Sequence, residues 1–398
     1  MDALAEDWRN GGFGLYIHWP FCQAKCPYCD FNSHVVCQID QARWKAAYIQ
    51  EIDRFAEETP GRILNTMFFG GGTPSLMDPD VVGAIIEKVR QSWPTSNDFE
   101  ITLEANPSSV EAARFAAYRD AGVNRVSVGV QALNNNDLKR LGRLHSKDEA
   151  IKAIEIAKKS FERVSFDLMY GRQDQSAASW SSELTWAIDL AADHLSLYQL
   201  TIEDGTAFGD RYKIGRLRGL PDEDLSVHLF EITQEICDKA GLHAYEVSNH
   251  AKSDAESRHN LIYWKYGDYI GIGPGAHGRL TLNGNRFATE TFKSPFQWLS
   301  QVEGGQMESR TVLSLADQAA EYLMMSLRLT EGISINRYNK MTGQKLDSHQ
   351  IDFLRSENLI NIDQDRLCTT DRGRLVLNSV IETLMPSLEL FDNSQLTT

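Results

Sequence analysis

The stretch GLYIHWPFCQAKCPYCDF, residues 14–31, decides how the fold is read. Its first six residues form a β-rich run, and three cysteines, Cys22, Cys26 and Cys29, follow at once. The same β-rich character returns in NTMFFG (65–70), FEITLEA (99–105), RVSVGVQ (125–131), RVSFDLM (163–169) and HLSLYQL (194–200). Helical periodicity fills the intervals 41–57, 79–92, 110–120, 147–160 and 179–191. Strands alternating with helices imply a parallel sheet with crossover helices. About six such units fall short of a closed eight-unit barrel. The expectation is therefore an α/β protein built on a partial TIM-like (β/α)6 barrel. Sites in that architecture lie at the C-terminal strand ends, and the cysteines fall there.

Beyond the barrel the rhythm changes. The reading divides the chain into a barrel over 1–205, an α+β extension over 206–310 that completes the site, and a winged-helix-like module over 311–390. From 311 onward there are eight basic and twelve acidic residues, so the module is read as a packing unit and not as a DNA reader. The whole chain of 398 residues carries a net charge of −15, which argues against a nucleic-acid partner or an anionic membrane surface. No apolar run approaches the ~20 residues of a membrane span, and no secretion signal is evident, so the cytoplasm is the expected location. The last residues, FDNSQLTT, read as frayed.

Cysteines packed this tightly in a large chain point to metal and not to cross-links. A 4Fe-4S cluster normally takes four thiolates, so three would leave one iron open to a cofactor or substrate. A structural zinc site, with His34 or Cys37 completing a tetrahedron, is the competing reading, and a disulfide framework is the weakest. FFGGGTPS (68–75) ends a strand in three glycines that let backbone groups approach a small polar ligand, although a simple tight turn would look the same. Glu104, Gln131, Arg143 and Asp167 sit at or just beyond strand ends, where barrel geometry would converge them.

The CxxxCxxC spacing resembles the signature of the radical S-adenosylmethionine (SAM) superfamily. In that superfamily SAM chelates the open iron and is cleaved reductively to a 5′-deoxyadenosyl radical. The fuller resemblance, over almost the whole chain, is to the coproporphyrinogen dehydrogenase-like branch that holds the HemN and HemW proteins. It implies that Tyr16, Gly71 and Glu104 contact the SAM on the cluster. Tyr28, Gly72, Thr73, Gln131, Arg143, Asp167 and Thr201 match positions near a second SAM, so one or two SAM molecules are expected.

HNLIYW (259–264) resembles the HNxxYW motif of HemW-type haem-binding proteins. A neutral imidazole is a good axial ligand for haem iron, and aromatic side chains pack against a porphyrin. His259 is the expected ligand and His250 a lesser candidate, against the bland alternative of a histidine capping a strand beside a core Tyr–Trp pair. Coproporphyrinogen dehydrogenases carry a further cysteine two residues after the third ligand, where this chain has Phe31. The resemblance therefore implies a haem chaperone that delivers haem to respiratory-chain proteins, with a cluster-dependent homodimer. The alternatives are an oxygen-independent coproporphyrinogen III dehydrogenase and a radical SAM methyltransferase acting on a tetrapyrrole. GIGPGAHG (271–278) lacks the βαβ setting of a dinucleotide fingerprint and is read as a barrel-edge loop closing over the SAM adenine, with His277 nearby. Cys37, Cys237 and Cys368 are read as buried structural thiols.

Overall fold

The computed structural model describes residues 6–36 and 38–385. Six strands follow the predicted order: β1 (Phe13–Trp19), β2 (Leu64–Gly71), β3 (Thr95–Ala105), β4 (Arg125–Gln131), β5 (Arg163–Tyr170) and β6 (His194–Gln199). Each pairs in parallel with the next. Helices cross between them, chief among them α1 (Gln41–Glu58), α2 (Pro79–Ser92), α3 (Lys147–Ser160) and α4 (Ala177–Leu190). Their starts are set locally. Asp40 accepts from the Arg43 amide at the head of α1, and Ser146 with Glu149 forms a capping box on α3.

These parallel strands do not read as continuous apolar runs. Leu15, Ile17, Met67, Phe69, Ile101, Leu103, Val126, Val128, Val164, Phe166, Leu195 and Leu197 are buried in the main hydrophobic core. The alternate positions carry Tyr16, His18, Thr66, Glu104, Arg125, Ser127, Ser165, Asp167, His194 and Ser196. Side chains alternate across a strand, so one face of the sheet packs on the helices and the other makes a polar lumen. Arg125 shows how that lumen is satisfied. It donates to Ser165 Oγ at 2.9 Å, Ser165 donates to Ser127 at 3.0 Å, and Ser127 to Asp167 at 3.3 Å.

The extension does not stand apart from the barrel. Its strands β7 (His243–Ala244) and β8 (Asn249–Ala251) continue the sheet, β8 antiparallel to β6 and β7 antiparallel to β8. At the other side β9 (Asp268–Ile272) pairs in parallel with β1, so the parallel run has seven strands where the sequence suggested six. Then β10 (His277–Leu282), β11 (Asn285–Glu290) and β12 (Ser309–Val312) follow antiparallel. The sheet of 12 strands ends on β12 and β7, which do not pair, so it stays open. The short helix α5 (Arg258–Trp264) precedes β9 and packs against β1 and β2. The C-terminal piece has helices Ile335–Thr342 and Ser348–Ser356 and the hairpin Ile360–Asp363/Arg366–Thr369 around its own core, a helix–helix–hairpin arrangement as expected. Among the described residues no helix is long and apolar enough to cross a membrane.

Of the three remaining cysteines, Cys237 is buried as expected, and burial pushes its thiol up to about 12. Cys368 is only half-buried, its Sγ 3.2 Å from the Glu331 carbonyl, because it lies on the short hairpin strand of the C-terminal module. Cys37, the module's last residues and FDNSQLTT lie outside the described residues.

Candidate functional site

At the C-terminal ends of β1 to β5 lies a cavity of about 1000 Å³, open to solvent. Cys22, Cys26 and Cys29 all line it, together with Tyr28, Gly71, Gly72, Thr73, Glu104, Arg143 and Asp167. The structure thus brings together ten of the fourteen residues singled out from sequence. The other four, Tyr16, Gln131, Thr201 and His259, lie outside the lining.

The cysteine loop is anchored before any ligand enters. The Cys29 amide donates to the Cys26 carbonyl, and His34 donates its amide to Pro20 O, pairing Phe21–Cys22 with His34–Val35. Asn32 Nδ2 donates to Pro274 O and Lys293 O, both at 2.8 Å. The glycine-rich loop therefore braces the cysteine loop from outside, and neither it nor His277 lines the cavity as the adenine-covering reading expected. Gly273 leaves no room for a side chain there, since a Cβ would sit 2.3 Å from the His18 carbonyl oxygen.

Polar groups reach the sulfurs from two sides. Thr73 Oγ1 donates to Cys22 Sγ at 3.4 Å, and Arg143 Nη1 lies 3.5 Å from Cys26 Sγ. The other Arg143 nitrogen donates to Asn106 Oδ1 at 2.6 Å and Gly129 O at 2.7 Å, and Asn106 donates to Thr73 at 3.1 Å. Asn106 was missed in the sequence reading, although it stands one residue past a strand end, the place where barrel sites are built. Burial pushes the Cys22 and Cys29 thiols above their ordinary range. Among the described residues, no group of three or more His, Cys, Asp or Glu side chains is gathered tightly enough to hold one metal ion. A single zinc needs its sulfurs about 2.3 Å from one point, whereas a cluster distributes its thiolates over separate irons. Three cysteine thiols lining one cavity offer a donor set of the second kind.

The wall formed by Gly71, Glu104 and Asp167 is acidic. Gly71 has φ +110°, and a Cβ there would meet the His18 ring at 2.6 Å. Its amide points to Glu104 Oε2 at 3.3 Å. Burial, then the neighbouring Asp167, pushes Glu104 up to about 8, and burial pushes Asp167 up to about 6. The Arg125 guanidinium, joined at Asp167 by that of Arg143, only partly offsets the desolvation of these two carboxyl groups. An ammonium or a ribose diol would relieve them.

Tyr16 lies behind this wall. His18 Nε2 is 2.9 Å from the Asn32 carbonyl and so carries the proton, which makes Nδ1 the acceptor of the Tyr16 hydroxyl at 3.0 Å. Gln131 has φ +73° beside a register shift between β4 and β5, a left-handed backbone that a non-glycine residue rarely adopts. Such strain concentrates at functional positions. Thr201 is exposed and donates to the Gln199 carbonyl at 3.3 Å.

His259 is neither a strand cap nor exposed. It lies on α5, 1% exposed, with Nδ1 2.7 Å from Thr66 Oγ1 and Nε2 2.6 Å from the Tyr263 hydroxyl. Both ring nitrogens are occupied, and the imidazole stacks on Phe68 at 5.0 Å. Burial lowers its basicity to about 3, so it is neutral. His250, on β8, is equally buried.

Comparison with known proteins agrees with this architecture. The model of the radical SAM superfamily matches residues 16–179, and that of the HemN C-terminal domain matches residues 313–376. The heme chaperone HemW of Escherichia coli is 38% identical over 376 residues, covering 93% of this chain and 97% of that one. The mitochondrial radical S-adenosyl methionine domain-containing protein 1 of Bos taurus is 36% identical, covering 94% of this chain and 88% of that one. Among solved structures, coproporphyrinogen III oxidase (HemN) from Escherichia coli superposes with a TM-score of 0.79 over 95% of this chain and 92% of that one, at 20% identity. That likeness establishes the fold.

Proposed function

This chain belongs to the HemW family of radical SAM proteins, and from that premise we propose that it is a cytoplasmic haem-binding chaperone that carries a 4Fe-4S cluster and SAM and delivers haem to respiratory-chain acceptors. The observation that supports chaperone over oxidase is the 38% identity to a heme chaperone across nearly the full length of both chains, against 20% to the coproporphyrinogen oxidase. At the mouth of the cavity Phe31 stands exposed where the oxidase pattern would place a further cysteine.

The residues present fit a cluster and SAM. Cys22, Cys26 and Cys29 would hold the cluster, and Gly71 with Glu104 would receive the SAM amino group. Asp167, Thr73 and Arg143 would supply a carboxylate, a hydroxyl and a guanidinium for the remaining polar atoms. When bound, the cluster supplies a redox-active iron with one position open for SAM. The chain's own part is to hold that cofactor against a preformed wall and to keep a guanidinium beside the sulfur of Cys26. Haem does not fit at His259 as it stands, because neither ring nitrogen is free and the side chain is enclosed.

Anaerobic reconstitution tests the reading. About four irons and four sulfides per chain are expected, lost in Cys26→Ala. Haem titration should then saturate at a defined stoichiometry. Absence of saturable haem binding overturns the chaperone reading, and formation of protoporphyrinogen from coproporphyrinogen III, SAM and reductant replaces it with the oxidase.

A further inference from the structure

The HNLIYW segment closes the N-terminal end of the polar lumen. Arg258 Nη1 pairs with Asp98 at 2.6 Å, the His259 amide donates to Glu100 at 3.3 Å, and Ile262 fills the space beside Gly14, where a Cβ would lie 2.9 Å from its side chain. Tyr263 packs edge-on against Tyr269 at 4.5 Å. Trp264 lies under Arg328 at 4.8 Å, and its carbonyl accepts from Ser326 at 2.7 Å, joining the barrel floor to the C-terminal module. Each aromatic side chain of the motif, like its histidine, already has an internal neighbour.

From that floor a continuous set of contacts runs to the cysteine loop. The His259 ring stacks on Tyr16 at 6.4 Å with an interplanar angle of 29°. The Tyr16 hydroxyl donates to His18, and His18 donates to the carbonyl of Asn32, three residues past Cys29. His18 also fills the space that keeps position 71 a glycine.

We propose that His259 is a positioning residue, which fixes Tyr16 and through it the cysteine loop and the Gly71 wall, and not an axial ligand of haem iron. An axial ligand needs a free nitrogen lone pair and an open hemisphere for a flat macrocycle. To supply them His259 would have to give up the hydrogen bond on its unprotonated nitrogen and draw away from the Tyr16, Phe68 and Tyr263 rings that enclose it. Only the haem part of this assignment rests on the chaperone reading.

The test uses the full chain, anaerobically reconstituted, as His259→Ala, His259→Gln, Thr66→Val and Tyr263→Phe. Three readouts are taken: melting temperature without haem, the change in the reduced cluster's EPR spectrum on adding SAM, and the axial-ligand signature of bound haem by resonance Raman. The expected result is a lowered melting temperature and a weakened SAM response in His259→Ala. His259→Gln should partly restore both, and each hydroxyl variant should reproduce them in smaller measure. The haem signature should match wild type throughout. A changed axial signature in His259→Ala, with wild-type melting and SAM response, overturns the proposal. If His259→Ala does not fold, wild-type melting and SAM response in both Thr66→Val and Tyr263→Phe overturn it instead. If wild type binds no haem, the chaperone reading fails, while the melting and SAM readouts still decide the positioning role.

Discussion

Arg143 holds its Nη1 3.5 Å from the sulfur of Cys26 while its other terminal nitrogen is clamped by Asn106 and Gly129. A guanidinium locked in place beside a thiolate makes negative charge there less costly, and its planar fork cannot be copied by lysine. Arg143→Lys should still assemble a cluster but shift its reduction potential to more negative values, since reduction adds an electron beside the site. SAM affinity should fall about tenfold to a hundredfold, the range expected when hydrogen bonds to a charged group are lost. EPR-monitored potentiometry and a SAM titration check both. An unchanged potential would remove Arg143 from the cluster's electrostatics.

Glu104 sets a pH dependence with a definite sign. Burial raises its folded carboxyl to about 8, above its ordinary value. Stability from the protonated form is full below the unfolded value of about 4.3 and is lost as pH rises toward the folded one. The apo chain should therefore melt progressively lower from about pH 5 to about pH 8, and Glu104→Gln should flatten that slope. SAM affinity should move the other way, rising as Glu104 ionises to meet an ammonium. Differential scanning fluorimetry and calorimetric titration across this range read the two opposing trends.

The glycines flanking the site differ in why they are glycine. Gly72 needs no special φ, but a Cβ there would sit 2.7 Å from the Phe21 carbonyl oxygen and 3.0 Å from its amide nitrogen. Backbone cannot rotate away as a side-chain tip can. Gly72→Ala should therefore push Phe21–Cys22 outward at a cost of about 1–3 kcal/mol, typical of overpacking. The expected outcome is a folded chain with reduced iron content after reconstitution. Full iron loading with an unchanged melting temperature would show that the strand can yield.

How far the sequence carried the reading differs from part to part. The six strand runs between Gly14 and Leu200 were legible because each ends at a glycine, proline or polar turn and is followed by a helical period. The cavity was legible as well, since its residues sit at strand ends: Thr73 after β2, Glu104 in β3, Asp167 in β5. The strand β9 was hidden because Asp268–Ile272 is short, runs straight into Gly273, and pairs with β1, far away in sequence. The place of His259 was hidden for a related reason. Its seven-residue helix is too short to show a period, and its partners Thr66, Phe68 and Tyr16 come from two distant strands. A motif string carries residue types but not the face they turn to, and here that face is the barrel floor.

Among the contacts that fasten the C-terminal module to the barrel, those of one arginine should be felt across the junction when it is removed. Arg337 grips Asp7 with two nitrogens, at 2.8 and 2.9 Å, and also donates to the carbonyls of Lys265 and Tyr266 at 2.7 and 3.0 Å. Its guanidinium lies 4.8 Å from the ring of Tyr322, and both charged side chains are largely sheltered from solvent. Three pieces meet there: the N-terminal turn, the segment between α5 and β9, and the module itself. Arg337→Met keeps most of the volume but strips Asp7 of its guanidinium, leaving it the Asn10 side chain as donor, and takes one donor from each of the two carbonyls, of which Tyr266 keeps Arg286. Taking the guanidinium away from a sheltered carboxylate costs about 2–4 kcal/mol. Arg337→Lys should recover only part of that, because an ammonium cannot make the paired contact to Asp7. The hydrophobic core there is built mainly from the module's own residues, with Tyr266 added from the barrel side, so the module should stay folded while the junction loosens. Hydrogen exchange should accelerate in Asp7–Asn10 and around Lys265, with the hairpin Ile360–Thr369 still protected. Loss of protection in the hairpin as well would mean that the module depends on the barrel for its fold. Since Lys265 directly follows α5, the same variant should also weaken the SAM response if the floor does position Tyr16, which gives that assignment a check from outside the lumen.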